Sequence, residues 1–185
     1  DSGSFDGVSS TRRVLFQSSV KGTARTLTTN VTSASWVDFQ DITVSGTGWD
    51  ISAATGGSGD CGGNTGITFT TADVNYAIGT GARSASTASM WSTSSGGAAD
   101  GRVPLPQDSA VVDANSGTGT ITQDMPRTGG WDFTGSSGIT WTTGTMSFFG
   151  SITLISGMTL TNSGVQTYEG RGPSVLISAG KTWIW

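Results

Sequence analysis

The sequence predicts an all-β fold, a right-handed β-solenoid with about 20 residues per coil. Thr120, Thr140 and Thr159 each begin a Thr-x-Thr motif, and they stand 20 and then 19 residues apart. This spacing is typical of a chain that winds over itself with one repeat per coil. Strand alternation turns the threonines outward and the residue between them into the bore. That residue is large and apolar each time: Ile121, Trp141 and Leu160.

Composition also favours strands over helices. Of the 185 residues, 27 are Ser, 30 are Thr and 29 are Gly, whereas one is Glu and two are Lys. Straight-chain helix formers are therefore scarce, while β-branched, aromatic and turn residues abound. A disordered linker is the alternative for a Gly/Ser/Thr-rich chain. Seven Trp and seven Phe on alternating patterns argue against a linker.

In the N-terminal half, strands are predicted at residues 12–17, 25–29, 35–45 and 66–70. Strict alternation puts Trp36 on a different face from Val37, which predicts a bulge or a strand buried on both sides. Residues 56–64 are rich in glycine, and we expect a loop there rather than a regular strand.

The chain divides into three predicted regions. Residues 1–78 are the C-terminal end of a preceding β module, residues 79–107 are a Gly/Ser/Pro-rich junction, and residues 108–185 are a β-solenoid module. Pro104 and Pro106 interrupt any ladder in the junction. Beyond it, apolar centres return every six to eleven residues or so, which fits three short strands per coil. A β-sandwich has similar strand spacing and is the structural alternative.

Charge and residue usage narrow the classes of function. The net charge is −4 and 12% of residues are charged, so a nucleic-acid footprint and a polybasic membrane patch are both missing. The sequence contains no His, the usual general base and zinc ligand. Cys61 is the one cysteine, which excludes an intramolecular disulfide. Because the strand pattern still runs at residues 183–185, we expect a fragment or processed product that continues in a longer chain.

A resemblance adds to this interpretation. Residues 91–99 form a Trp and Gly-rich opening, Val103-Pro104 forms a turn, and Asp108-Ser-Ala-Val-Val-Asp-Ala-Asn-Ser leads into the first Thr-x-Thr motif. This order resembles a module repeated in phage tail-fibre and virion surface proteins, and in some large bacterial surface proteins. Residues 150–183 resemble its solenoid body, and residues 35–70 the end of a preceding module. Three departures are Val112 for an aromatic, Ser109 for Asn, and Ala82-Arg83-Ser84 for Trp-Val-Gly-Gly.

The resemblance implies a shaft or an adhesive surface at the virion surface or another extracellular site. It carries no catalytic residues. We therefore expect a non-enzymatic structural or adhesive segment with no cofactor and no metal. The expected partners are other copies, other virion proteins or a host-surface glycan, without nucleic acid and without membrane insertion. The alternative is a glycan-binding or carbohydrate-active module of a bacterial surface protein.

Chemical hypotheses arise for one turn with Asp and Asn and for two pairs of aspartates. Asp60 and Asn64 lie on a Gly-rich turn that could offer oxygen ligands to calcium, but the RTX spacing is missed by one residue, and we expect a plain turn. There are two candidate carboxylate pairs, Asp38 with Asp41 and Asp108 with Asp113. The members of each pair are an odd number of residues apart, so strand alternation turns them to opposite faces, which argues against joint catalysis by either pair. Asp113-Ala114-Asn115 is expected to cap a turn.

Aromatic and threonine side chains give two further hypotheses. Trp49 and Trp131 each follow glycine, and we expect them to be the tryptophans most exposed for stacking on sugar rings. The remaining tryptophans are expected to fill the core. The outward threonines form a small array of the kind that ice-binding β-solenoids use, with Ser178 as the candidate for the next rung, and ice binding is the weaker alternative function.

Overall fold

The predicted β-solenoid is confirmed in the computed structural model, which describes residues 2–28 and 30–184. Parallel strands stack about 21 residues apart and form about eight turns. The β-sandwich alternative, which needs antiparallel sheets, does not describe these ladders. The one helical segment among the described residues is a 3-10 turn at Ala88–Met90, so none there has the length of a membrane span. The right hand of the coil stays a prediction.

The first eight strands form the N-terminal stack, whose core contains Phe39 and Trp49. β4 is its longest strand and pairs in parallel with β1 and β2 along one edge and with β7 along the other. β5 pairs with β3, and β8 pairs with β6. The strands are β1 Ser2–Asp6, β2 Val14–Gln17, β3 Arg25–Leu27, β4 Asn30–Gln40, β5 Ile42–Val44, β6 Trp49–Asp50, β7 Thr55–Asp60 and β8 Ile67–Thr68.

The bulge predicted near Trp36 is confirmed. The pairing of β4 with β7 shifts between Ser35 and Val37, and Trp36 between them has a φ of 48°. An extra residue in one strand locally unpairs the ladder and re-aims the side chains that follow. Val37 and Phe39 are consequently fully buried in the core.

The prediction of a loop at residues 56–64 is wrong for its first part, because Thr55–Asp60 forms strand β7. The glycines reflect close approach and also an irregular backbone, because Gly56 and Gly57 have φ values of 70° and 73°. A Cβ on Gly57 would lie 2.7 Å from Leu105, and a Cβ on Gly59 would overlap the Asp38 carboxylate. Side chains from neighbouring segments therefore occupy the space that side chains of β7 would need.

The remaining strands form the C-terminal stack, which has three faces. One sheet has the order β10-β13-β16-β19, the second β11-β9-β12-β15-β18-β21, and the third β14-β17-β20. All pairs are parallel except β9 with β11. The strands are β9 Val74–Ala77, β10 Arg83–Ser84, β11 Trp91–Ser92, β12 Ser109–Val111, β13 Gly119–Gln123, β14 Arg127–Thr128, β15 Gly130–Asp132, β16 Ile139–Thr143, β17 Met146–Phe148, β18 Ile152–Thr153, β19 Thr159–Asn162, β20 Gln166–Tyr168 and β21 Leu176–Ile177.

The Thr-x-Thr motifs stack in the predicted register. Thr120 pairs with Thr140, and Thr140 pairs with Thr159. The intervening Ile121 and Trp141 are fully buried. The prediction that Ser178 continues the array is wrong, because that residue follows β21 in another sheet. The array is instead extended at its other end, where Ser84 of β10 pairs with Thr122.

The region predicted as a junction, residues 79–107, contributes to the core of the C-terminal stack. Ala85, Met90 and Trp91 belong to its buried cluster. The indole N–H of Trp91 donates to the backbone oxygen of Ala85 at 2.9 Å. β9, at residues 74–77, also lies in a sheet of this stack. The first turn of the C-terminal stack is therefore built from a segment whose composition is typical of a loop.

Candidate binding groove between the two stacks

The two stacks lie side by side, and Asp38 is the centre of their contact. Alternation along β4 turns Val37 and Phe39 into the core and Asp38 towards the C-terminal stack. The fully buried Asp38 carboxylate accepts hydrogen bonds from Nε of Arg13 at 2.8 Å and from Nε of Arg127 at 2.7 Å. Arg127 also donates to the backbone oxygen of Arg13 at 2.8 Å. Charge-assisted bonds between buried groups thus join the residue before β2 to β4 and β14.

Asp41 forms a second link between the stacks. Arg171 donates to it from Nε at 3.0 Å and from Nη2 at 2.5 Å. These hydrogen bonds from Arg171 hold the pKa of Asp41 below its ordinary value of 3.8, although burial acts in the opposite direction. The candidate carboxylate pair Asp38 and Asp41 is therefore divided between two separate ion-pair networks.

Gln107 supplies a third link, formed by its side-chain amide. Its Oε1 accepts from the backbone N–H of Asp60 at 2.9 Å. Its Nε2 donates to the backbone oxygens of Ser58 at 3.0 Å and Thr70 at 2.8 Å. One amide thereby satisfies two backbone groups on the edge of β7, where no further strand pairs in the described part of the chain, and the backbone oxygen of Thr70.

The second candidate pair, Asp108 and Asp113, is also separated by its contacts. Asp108 is buried and accepts hydrogen bonds from Arg102 and from the backbone N–H of Leu105 at 2.7 Å. Burial raises the pKa of Asp108, and the hydrogen bonds from Arg102 oppose that rise. Asp113 caps its turn as predicted, because the N–H of Asn115 donates to Oδ1 at 2.9 Å.

Asp60 and Asn64 form a turn in which both side chains have hydrogen-bond partners. Oδ1 of Asp60 accepts from the N–H of Gly62 at 2.8 Å and from Nδ2 of Asn64 at 2.7 Å. Oδ1 of Asn64 accepts from the N–H of Ile42 at 3.0 Å. Among the described residues, no three His, Cys, Asp or Glu side chains gather as a set of metal ligands.

Between the stacks runs a groove of about 530 Å³, which we call the inter-stack groove. Its floor is the outward face of β12, β15 and β18. Its walls are residues 60–62 of the N-terminal stack and residues 106–108 and 171–172 of the C-terminal stack. The links made by Asp41 and Gln107 lie next to these walls and fix their separation. The floor carries the side chains of Ser109, Val111, Asp132, Ser151 and Thr153.

The floor mixes polar and apolar side chains, which recur at the spacing of its strands. Register places Val111, Asp132 and Thr153 in one column on three adjacent strands, with about 4.8 Å between strands. In the part of the chain that the structure describes, no hydrogen bond engages the hydroxyls of Ser109 and Thr153. Two separate hydroxyls beside a carboxylate and an apolar side chain offer donors, acceptors and contact area to a hydroxyl-rich ligand.

The tryptophans expected to be exposed are buried, so that prediction is wrong. Trp49 is 5% exposed and its ring lies 5.9 Å from that of Phe39. Trp131 is 1% exposed, stacks on Phe133 at 5.7 Å, and donates from its indole N–H to the hydroxyl of Thr128. The glycine before each residue indicated a turn, but each tryptophan begins or continues a strand and points into a core.

Cys61 lines the groove, but its thiol has low reactivity. The residue is 2% exposed. Burial raises the pKa of its thiol well above the ordinary range, and the nearby charge of Asp38 adds to the effect. A thiol that stays protonated is a poor nucleophile.

Comparison with family models, with curated proteins and with solved structures finds no match to this chain.

Sequence reasoning missed Gln107, Asp132 and Arg171 as residues of the groove. Arg171 bonds to a residue 130 positions earlier, and Gln107 bonds to residues 37 to 49 positions earlier. No periodic pattern connects such distant positions. The one signal lay in β4, where Asp38 interrupts the hydrophobic pattern Trp-Val-Asp-Phe with a charge that needs a partner once buried.

Proposed function

We propose that this protein is a non-enzymatic structural and adhesive segment of a phage virion appendage, such as a tail fibre, displayed at the virion surface. The proposed structural role rests on the buried contact around Asp38, which joins two β-solenoid stacks into one body. Ladders within each stack satisfy backbone groups rung after rung, without a disulfide bond. This construction suits a stiff shaft. The assignment to a virion rests on the resemblance of residues 91–122 and 150–183.

The inter-stack groove is where we propose that a host-surface glycan binds. Its floor presents the hydroxyls of Ser109 and Thr153 and the carboxylate of Asp132 to a ligand rich in hydroxyl groups. Because an appendage carries several copies, a weak single contact would suffice through avidity.

A glycan array probed with the purified chain tests this proposal, with Ser109→Tyr as the groove variant. Ser109 is exposed on the floor, so a tyrosine there obstructs the groove while the core stays unchanged. The control is Thr122→Tyr, an equally bulky change at an exposed position on a different sheet. We expect glycan binding by the wild type and the control, and its loss in Ser109→Tyr. A wild type that binds no glycan, or equal binding by both variants, contradicts adhesion through the groove.

A hydrolysis assay on the glycans that bind separates the two classes of protein. Unchanged glycans agree with an adhesive segment. Release of shorter products would instead support a carbohydrate-active module of a bacterial surface protein, with Asp60 and Asp132 of the groove as the carboxylates to substitute first.

The in-register threonines favour ice binding as a second candidate. Two columns of Thr run across β13, β16 and β19, and Thr122, Thr159 and Thr161 are exposed. Measurement of thermal hysteresis decides this case. A gap between melting and freezing points that Thr161→Tyr abolishes would support ice binding. A wild type without such a gap would exclude ice binding.

A further inference from the structure

Arg83 occupies a position in the C-terminal stack that otherwise belongs to the core. In the first rung of the Thr-x-Thr sheet it pairs with Ile121, which in turn pairs with Trp141. Residues in register on adjacent strands point to the same side of a sheet, so Arg83 points into the end of the bore. Its neighbour Ser84 points outward and donates to Asp124 at 2.5 Å.

The guanidinium of Arg83 is buried without a protein partner. Within residues 2–28 and 30–184, no atom accepts a hydrogen bond from its Nε, Nη1 or Nη2, and all three nitrogens are buried. The other arginines with little exposure each contact a carboxylate: Arg13, Arg102, Arg127 and Arg171. Burial alone lowers the pKa of Arg83 below its ordinary range. A buried cation with five unpaired N–H donors destabilises the fold unless an anion accepts hydrogen bonds from it.

Beside this guanidinium lies a cleft of about 320 Å³, lined by Arg83 together with Gly79, Thr87, Ser89 and Met90. Gly79 leaves room at the guanidinium, since a Cβ there would lie 4.0 Å from Nη1. Thr87 begins the 3-10 turn, yet its side chain makes no capping hydrogen bond. A cation without a hydrogen-bond partner among the described residues therefore adjoins a cleft that also offers hydroxyl donors.

We propose that this cleft is a binding site for an oxyanion group, a carboxylate or a phosphate, which the guanidinium of Arg83 contacts once its side chain turns from the buried position towards the cleft. The planar fork of arginine matches two oxygens of either group, and the Thr87 and Ser89 hydroxyls can donate to a third. The site belongs to the β10 sheet, whereas the inter-stack groove belongs to the β12 sheet. It is therefore independent of the proposed glycan contact.

Thermal unfolding at constant ionic strength tests the site, with sodium phosphate and sodium acetate compared against sodium chloride. The variants are Arg83→Met, which removes the charge and fills the space, and Arg25→Met, a matched change at an exposed arginine. We expect a rise in Tm of about 3–6 °C for the wild type and Arg25→Met at ten times the Kd. Arg83→Met should show no rise. A response to acetate alone, to phosphate alone or to both identifies which oxyanion the cleft prefers.

A second measurement covers the case in which Arg83→Met does not fold. Arginine Nε–H signals of the ¹⁵N-labelled wild type are followed by NMR during the same titrations, and Arg83→Lys assigns the Arg83 signal. We expect that signal to shift with a saturable dependence on the oxyanion. An unchanged Tm and an unchanged signal with both oxyanions, or an equal rise of Tm in Arg83→Met, would overturn the proposal.

Discussion

Asp38 illustrates how a single polar residue can connect two hydrophobic cores. It lies between Val37 and Phe39, both fully buried, and faces the opposite way into the contact between the stacks. A carboxylate in that position has no access to water, so its charge is compensated by Arg13 and Arg127. Neither arginine has more than 11% of its side chain exposed. The three charged groups consequently depend on each other.

We predict that Asp38→Asn destabilises the fold by about 3–5 kcal/mol, because it leaves two buried guanidinium groups without a counter-charge. Urea unfolding at pH 7 measures the change in the free energy of unfolding. Asp50→Asn is the matched control, since Asp50 is exposed and its carboxylate, among the described residues, accepts hydrogen bonds from Ser52 two positions further on. If both variants unfold at the same urea concentration as the wild type, the Asp38 network does not stabilise the protein.

Asp41 gives the contact between the stacks a dependence on pH. The Arg171 hydrogen bonds lower the pKa of Asp41 in the folded state. A carboxyl group with a lowered folded pKa contributes stability above its ordinary pKa of 3.8, and the contribution is lost as pH falls through the folded value.

We therefore predict that Asp41→Asn lowers Tm at pH 7 and that its deficit against the wild type shrinks below about pH 4. Thermal unfolding of both proteins between pH 7 and pH 2 measures this difference. A deficit that stays constant over the whole range would mean that the ionised form of Asp41 does not carry the contribution.

Strand β7 shows which parts of the fold could be predicted from the sequence. The period of about 20 residues and the strands at residues 120, 140 and 159 depend on alternation and repeat length, which are local properties that a sequence displays directly. β7 was predicted as a loop because five of the residues 56–64 are glycines. Two of those glycines, Gly57 and Gly59, leave space for Leu105 and Asp38, which are distant in sequence. The groove was missed for the same reason.

We predict that Gly59→Ala destabilises the protein by about 1–3 kcal/mol, the usual range for overpacking. Its Cβ would overlap the Asp38 carboxylate and lie 2.8 Å from Pro106, so β7, β4 and the chain near residue 106 must separate. Gly144→Ala is the control, since no heavy atom lies within 4 Å of its added Cβ. Urea unfolding should show a lower midpoint for Gly59→Ala alone. Equal midpoints would mean that β7 has room for a side chain.

The end of the C-terminal stack carries a strand edge with an apolar rim. β21 is the terminal strand of its sheet among the described residues and exposes backbone groups along one edge, whereas the edge of β20 is partly covered because the N–H of Gln166 donates to the backbone oxygen of Ile184 at 3.0 Å. Apolar side chains surround that edge, with Val175 61%, Leu176 39% and Ile177 49% exposed. An exposed edge with an apolar rim favours pairing with another strand, which for the isolated chain means a second copy.

We predict that the isolated chain self-associates through this end in a concentration-dependent manner. Light scattering coupled to size exclusion measures the mass, which should exceed that of one chain at high concentration. Leu176→Lys places a charge on the edge and should restore the monomer. Val8→Lys, at a valine of the N-terminal stack that is 63% exposed, should not. A wild type that stays monomeric at every concentration contradicts the prediction. If both variants associate equally, the charge on β21 has not disturbed the contact. The contact would then lie elsewhere on the molecule.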